Sequence, residues 1–251
     1  MIKILPYIYV AFPSYGIMAT IGLCAAVLFL YCRLDKVDLS FKQFLLIIMG
    51  AVAGLLVGSR ILFVIGILPT LEEISLKTIG YYLVYGGIVF YGGLLGMLAG
   101  VYIVARLMKK VPGLLLDFIA PAIPLFHGFA RIGCLLSGCC YGIKWNWGVR
   151  MVDSPEIVRF PVQLAESFCD FIIFICLIVY QKKSQNPQNE LTKYLCSYAI
   201  CRFVLEFFRG DTVRGIWIFG VSTSQIVSII IIFTIVIRKL ILKTLQCKHL
   251  E

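Results

Sequence analysis

The chain is short of charge. Only 14% of its 251 residues are Asp, Glu, Lys or Arg, where a soluble globular domain carries roughly a quarter. Acids are scarcest, 13 against 23 Lys and Arg, and there are two histidines. The N-terminal "MIKILPYIYVAFPSYGIMATIG" has one Lys and a short apolar run broken by Pro6 and Pro13. It lacks a small-residue cleavage site before polar sequence, so a cleaved signal peptide is not expected. The C-terminus carries no lipidation motif. Neither an internal repeat nor a low-complexity tract is visible, and the expectation is a single domain spanning residues 1–251.

What is present is grease. Hydrophobic residues make up 61% of the chain and the mean hydropathy is +0.96, so the chain needs lipid as its solvent. The net charge of +10 would suggest nucleic acid in a soluble protein. Here it reads as the Lys- and Arg-rich cytoplasmic loops of a membrane protein, and no nucleic-acid partner is expected.

A membrane helix needs about 20 mostly apolar residues. Candidates run over Pro13–Cys32, Phe44–Ile67, Tyr82–Leu107, Leu114–Ser137, Val162–Tyr180, Leu191–Phe208 and Ile216–Val236, which makes an all-α integral membrane protein of about seven spans. Basic residues gather in alternate connections: Arg33, Lys36 and Lys42; Arg106, Lys109 and Lys110; Lys182, Lys183 and Lys193; then Arg238, Lys239, Lys243 and Lys248. That bias predicts an outside N-terminus and a cytoplasmic C-terminus. It also brings the end of "ARIGCLLSGCCYG" and the segment "EFFRGDTVRG" to one side, the outer one.

A charge at bilayer depth costs at least about 2.5–3.5 kcal/mol and usually faces a cavity or a partner. Arg60 lies in "LVGSRILFV", and Asp117 near the inner end of the fourth span. His127 and Arg131 are four apart, on one helical face that Cys134 continues. Gln163, Glu166 and Asp170 recur at spacings of three and four behind Pro161, and Arg202, Glu206 and Arg209 form a charged stripe. Internal pairing, such as Arg202 with Glu206, is one reading. The other is a cationic cavity, because four arginines appear with fewer acids close at hand. Arginine's planar fork suits phosphate, and a lipid phosphate is the natural anion. Gly96 and Gly100 suggest close helix packing. Gly92 and Gly93 beside Tyr91 suggest a helix break at a cavity.

Of ten cysteines, Cys24, Cys32, Cys169 and Cys176 sit in apolar runs as small hydrophobes. Cys134, Cys139 and Cys140 group near the predicted outer surface. A disulfide, a metal site and a thiolate activated by Arg131 all remain open, although the spacing matches no standard zinc pattern.

The ordered set of motifs resembles the prolipoprotein diacylglyceryl transferases of bacteria. "SYGIMATIG" resembles the first-helix Tyr-Gly segment of that family and puts Tyr15 at an important position. "VGSRILFV" resembles its Gly-Arg motif, and "FYGGLLG" its His-Gly-Gly segment. "DFIAPAIPLFHGFARIGCLLSGCCYG" resembles its signature, "FPVQLAE" its Pro-x-Gln-Leu-Tyr-Glu and "CRFVLEFFRGD" its Arg-x-x-x-Glu-x-x-Arg. The departures are equally specific. The histidine before Gly-Gly is Tyr91, and the signature Gly before Arg is Ala130. Its two asparagines are Cys134 and Ser137, and its glutamate is Cys139.

The resemblance implies seven membrane helices in the bacterial cytoplasmic (inner) membrane. It implies transfer of diacylglyceryl from phosphatidylglycerol to the lipobox cysteine of prolipoprotein signal peptides, by a monomeric enzyme using neither metal nor organic cofactor. Arg131 and Arg202 would stabilise the phosphate leaving group, and Tyr91, His127 or Glu206 would serve as base. Arg60, Arg209, Tyr15, Gly92, Gly93, Gly133, Gly142, Gln163 and Glu166 would complete the lipid site. His127 as a stand-in for the missing imidazole is an inference from its position one turn before Arg131. The competing classes are a membrane thiol oxidoreductase or metal-handling protein using the three cysteines, and a lipid-binding relative without catalysis.

Overall fold

The computed structural model describes residues 14–68, 71, 75–87, 89–151, 154–184, 189–211 and 220–248. Their elements are α1 (Ser14–Tyr31), α2 (Phe41–Ile67), α3 (Leu76–Tyr85), α4 (Phe90–Leu107), α5 (Pro112–Ile119), α6 (Ala122–Leu136), β1 (Lys144–Met151), β2 (Ser154–Arg159), α7 (Val162–Lys183), α8 (Glu190–Leu205) and α9 (Thr223–Lys248). Six helical segments are long and apolar enough to cross a membrane: Ser14–Tyr31, Phe41–Ile67, Phe90–Leu107, Pro112–Leu136, Val162–Lys183 and Thr223–Ile241. The protein is a predominantly helical multi-pass membrane protein. Pro13 and residues 216–219, at the starts of the predicted first and last spans, lie outside the described residues.

The helix ends differ from the sequence expectation for local reasons. The stretch Tyr82–Leu107 is not one helix: α3 stops at Gly86, and α4 starts after Val89. The predicted break at Gly92 and Gly93 is therefore misplaced, since both lie within α4. The fourth span is divided at Ala120–Pro121, where proline has no amide hydrogen to donate. The segment after α6 contains a small antiparallel ribbon, with Arg150 opposite Val158 and an irregular register on either side. Apolar stretches reveal spans well, but such a short ribbon leaves little periodicity to read.

The chain divides into two compact units, residues 30–119 and residues 1–29 with 120–251. In the first, α2 and α4 pack through facing glycines. Gly50, Gly54 and Gly58 on α2 meet Gly100, Gly96 and Gly92 on α4. A Cβ on Gly58 would lie 2.7 Å from the Gly96 Cα, and one on Gly92 would lie 2.6 Å from the Leu62 Cβ. Lipid offers no hydrophobic gain to helix pairing, so close backbone contact supplies the attraction. The sequence reading caught Gly96 and Gly100 and missed their partners, because the α2 spacing gains meaning only opposite α4. Gly96→Leu is expected to destabilise the purified protein by about 1–3 kcal/mol or more through overpacking. Gly80→Ala, which meets nothing within 4 Å, should be silent in the same detergent melt.

In the second unit α7 lies between α6 and α8, contacting both, and α8 also packs on α9. Gly128 and Gly133 let α6 be approached closely. A Cβ on Gly128 would lie 2.9 Å from the Phe171 ring, and one on Gly133 would lie 3.2 Å from the Tyr15 Cα. The Ser167 hydroxyl donates to the Gly128 carbonyl at 2.9 Å, tying α7 to α6 at that point.

Candidate functional site

Antiparallel-reading spacings on α6 and α7 meet rung for rung. His127 and Arg131 are one turn apart on α6; Glu166 and Asp170 are one turn apart on α7. His127 Nδ1 lies 2.9 Å from Asp170 Oδ2, and Arg131 Nη2 donates to Glu166 Oε1 at 2.8 Å. All four side chains are buried. From α8, Arg202 Nη1 donates to the other Glu166 oxygen at 3.1 Å. Two guanidiniums from separate helices thus converge on one carboxylate.

The rest of the site holds that arrangement. Arg202 Nη2 lies 2.6 Å from Glu206 Oε2 and donates to Ser224 Oγ on α9 at 3.1 Å. The Tyr198 hydroxyl donates to Glu166 Oε1 at 3.2 Å, and its ring meets His127 edge-on. Beyond α8, Glu206–Phe208 form one 3-10 turn, and Arg209 is extended rather than helical. The predicted helical stripe of Arg202, Glu206 and Arg209 therefore breaks before its last member. Arg209 grips Asp211 through two hydrogen bonds, Nε to Oδ1 at 2.9 Å and Nη2 to Oδ2 at 2.6 Å. Burial opposes the charge on Arg209, but the Asp211 fork outweighs it and raises the pKa above the ordinary arginine value.

These pairs correct the expected surplus of arginine. Glu166, Glu206 and Asp211 accompany Arg131, Arg202 and Arg209, with Asp170 beside His127. The site is an ion-pair network, and the internal pairing of Arg202 with Glu206 is real. One donor is nevertheless unused: Arg131 Nε is buried with no hydrogen-bond partner among the described residues. A guanidinium has five N–H donors, and a buried unpaired one costs about 1–3 kcal/mol or more.

The segment after α6 is anchored to the same network. Gly210 N donates to the Tyr141 carbonyl at 2.9 Å and Ile143 N to the Phe208 carbonyl at 3.0 Å, forming a bridge between Gly142 and Arg209. The sequence reading that these two segments converge holds. Gly142 is required there by space, since a Cβ would lie 3.0 Å from the Phe208 carbonyl oxygen. Gln163 Nε2 donates to the Cys139 carbonyl at 2.8 Å. Tyr15 stands within electrostatic reach of Arg131, Cys134, Cys139 and Cys140. Cys134, Cys139 and Cys140 are free thiols whose sulfurs lie within 4.8 Å of one another.

Arg60, Tyr91, Gly92 and Gly93 belong to the other unit. Tyr91 is buried on α4, and Arg60 Nη1 on α2 is buried with no hydrogen-bond partner among the described residues. Sequence reasoning did not select Tyr198, Asp211 or Ser224. Tyr198 sits four residues before Arg202, a helical neighbour that the charge pattern overshadowed; Asp211 was visible only as part of "RGD".

A multi-pass helical protein with arginines from two helices meeting on a buried carboxylate belongs with the membrane proteins in which intramembrane charge marks a functional site. The chain belongs to the prolipoprotein diacylglyceryl transferase family, whose match covers residues 3–241. It is 32% identical over 232 residues to the phosphatidylglycerol–prolipoprotein diacylglyceryl transferase of Clostridium tetani, covering 89% of each chain. Its identity to the second such enzyme of Clostridium perfringens is 31% over 229 residues, 87% of this chain and 86% of the relative. The Dehalococcoides mccartyi transferase is 29% identical over 226 residues, 87% of this chain and 84% of that one.

Proposed function

We propose that this protein transfers the diacylglyceryl group of phosphatidylglycerol to the lipobox cysteine of a prolipoprotein, the activity named for its relatives. It works as a monomer and a single functional domain in the bacterial inner membrane. Its N-terminus is outside, its C-terminus is cytoplasmic and α8 serves as a seventh, short pass. The substrate cysteine sulfur, as thiolate, attacks the glyceryl carbon that bears the phosphate. A C–S bond forms, the C–O bond to phosphate breaks and glycerol phosphate departs with the electron pair. The thiol proton passes to a base.

The observation that supports Arg131 as phosphate ligand is its buried Nε–H without an acceptor, on a guanidinium already fixed by Glu166. A phosphate oxygen would satisfy that donor and gain a charge-assisted bond. Glu166 is a positioning residue: it holds the forks of Arg131 and Arg202 together, so no reorganisation is needed when charge develops on the leaving group. Arg209 and Gln163 fix the segment beside them. His127, carried by Asp170, and Glu206, in contact with Arg202, are the candidate bases in this cluster. Tyr15, Gly133 and Gly142 shape the lipid site.

The test is complementation. Expressed in a strain depleted of its own diacylglyceryl transferase, the chain should restore growth. A lipobox peptide incubated with it and phosphatidylglycerol should gain the mass of one diacylglyceryl group. Membrane insertion without either result would refute the reading in favour of the lipid-binding relative.

A further inference from the structure

The transfer reaction leaves three thiols unused, and the fold explains why they lie together. Helix α6 ends in a Schellman motif: Gly138 N donates to the Leu135 carbonyl at 3.1 Å and Cys139 N to the Cys134 carbonyl at 3.1 Å. Gly138 adopts φ 75°, the left-handed conformation this cap requires. The motif places the side chains two residues past the cap and three before it against each other, a contact usually made by two apolar groups. Here the two are Cys139 and Cys134. Cys140 then adopts φ 55°, a conformation costly for a residue with a Cβ, and its sulfur joins the other two within 4.8 Å. A sequence spacing that matches no zinc pattern thus becomes a compact group once the cap folds back.

We propose that Cys134, Cys139 and Cys140 form a three-sulfur binding site for a thiophilic monovalent cation, Cu⁺. Soft thiolate donors select Cu⁺ over harder ions. Metal–sulfur bonds of about 2.3 Å hold their sulfurs roughly 4 Å apart, so less than about 1 Å of contraction closes the site. No histidine or carboxylate joins the group among the described residues. That favours an ion satisfied by three sulfurs over Zn²⁺, which takes four ligands in structural sites. Each coordinating thiol releases its proton on binding. Arg131 Nη1, 3.9 Å from Cys134 Sγ, offsets the negative charge that gathers there. The turn is already braced by Gln163 Nε2 on the Cys139 carbonyl and by the Gly142–Arg209 bridge, so little ordering is left for the metal to impose.

The experiment uses the full chain in detergent, under anaerobic conditions with ascorbate, titrated with Cu⁺ against a chromophoric Cu⁺ chelator. Wild type should hold one equivalent more than C134S/C139S/C140S. C24S, altered at an exposed cysteine of α1, should match wild type. On wild-type protein alone, one equivalent of Cu⁺ should suppress alkylation of Cys139 and Cys140 at least tenfold in peptide mass spectra, and X-ray absorption should count three sulfur neighbours. This readout does not depend on the folding of any variant. Equal binding by wild type and the triple variant, undiminished alkylation, or a two-sulfur count would each overturn the proposal. So would Zn²⁺ displacing Cu⁺ from these residues.

Discussion

Arg131→Ala is expected to lower diacylglyceryl transfer by at least about 100-fold, the scale of losing one preorganised donor at a developing anion. Arg202→Ala should do the same, and both proteins should still insert in the membrane. Arg131 carries the buried Nε–H that lacks an acceptor, and Arg202 reaches the same Glu166 from α8. Arg131→Lys keeps a charge but loses the planar fork, and should recover only a small part of the activity. Transfer is read as the mass gain of a lipobox peptide per amount of membrane-inserted protein. Full transfer by both alanine variants would remove the guanidiniums from the mechanism.

Glu166→Ala is expected to be more damaging to the protein than either arginine change. It leaves Arg131 buried with no carboxylate, while Arg202 keeps Glu206 and Ser224. Removing one partner of a buried ion pair costs about 3–5 kcal/mol, mostly as the stranded charge. The diagnostic result is therefore non-additive. Arg131→Ala added to Glu166→Ala should restore part of the lost stability, because the stranded charge is gone; contacting residues show coupling of about 0.5–3 kcal/mol. Transfer should stay lost in the double variant. Thermal unfolding in detergent measures the first effect and the peptide assay the second. Additive destabilisation would mean that Glu166 and Arg131 do not depend on one another.

Much of the fold was legible because lipid demands it. Uninterrupted apolar stretches near 20 residues announced the spans, and Pro121 and the Gly86–Gly87 pair mark the interruptions that such stretches conceal. The candidate site was legible as a set of residues. His127 and Arg131 on one face, and Gln163, Glu166 and Asp170 on another, are helical arithmetic. The charge balance was not legible. Counting arginines along the chain did not pair Glu166 or Asp211 with any of them, whereas the folded site gives Arg131, Arg202 and Arg209 each a carboxylate.

By itself, the sequence determined that this chain lives in a membrane, that it crosses it repeatedly, and which buried polar residues are too costly to be accidental. Periodicity and hydropathy carry those facts locally. Only the tertiary structure decided that α7 presents Glu166 to arginines of α6 and α8, that Gly142 bridges to Arg209, and that three thiols meet at the cap of α6. Each depends on which helix faces meet and how a turn folds back, and residue spacing along one helix holds no record of its neighbour's rotation.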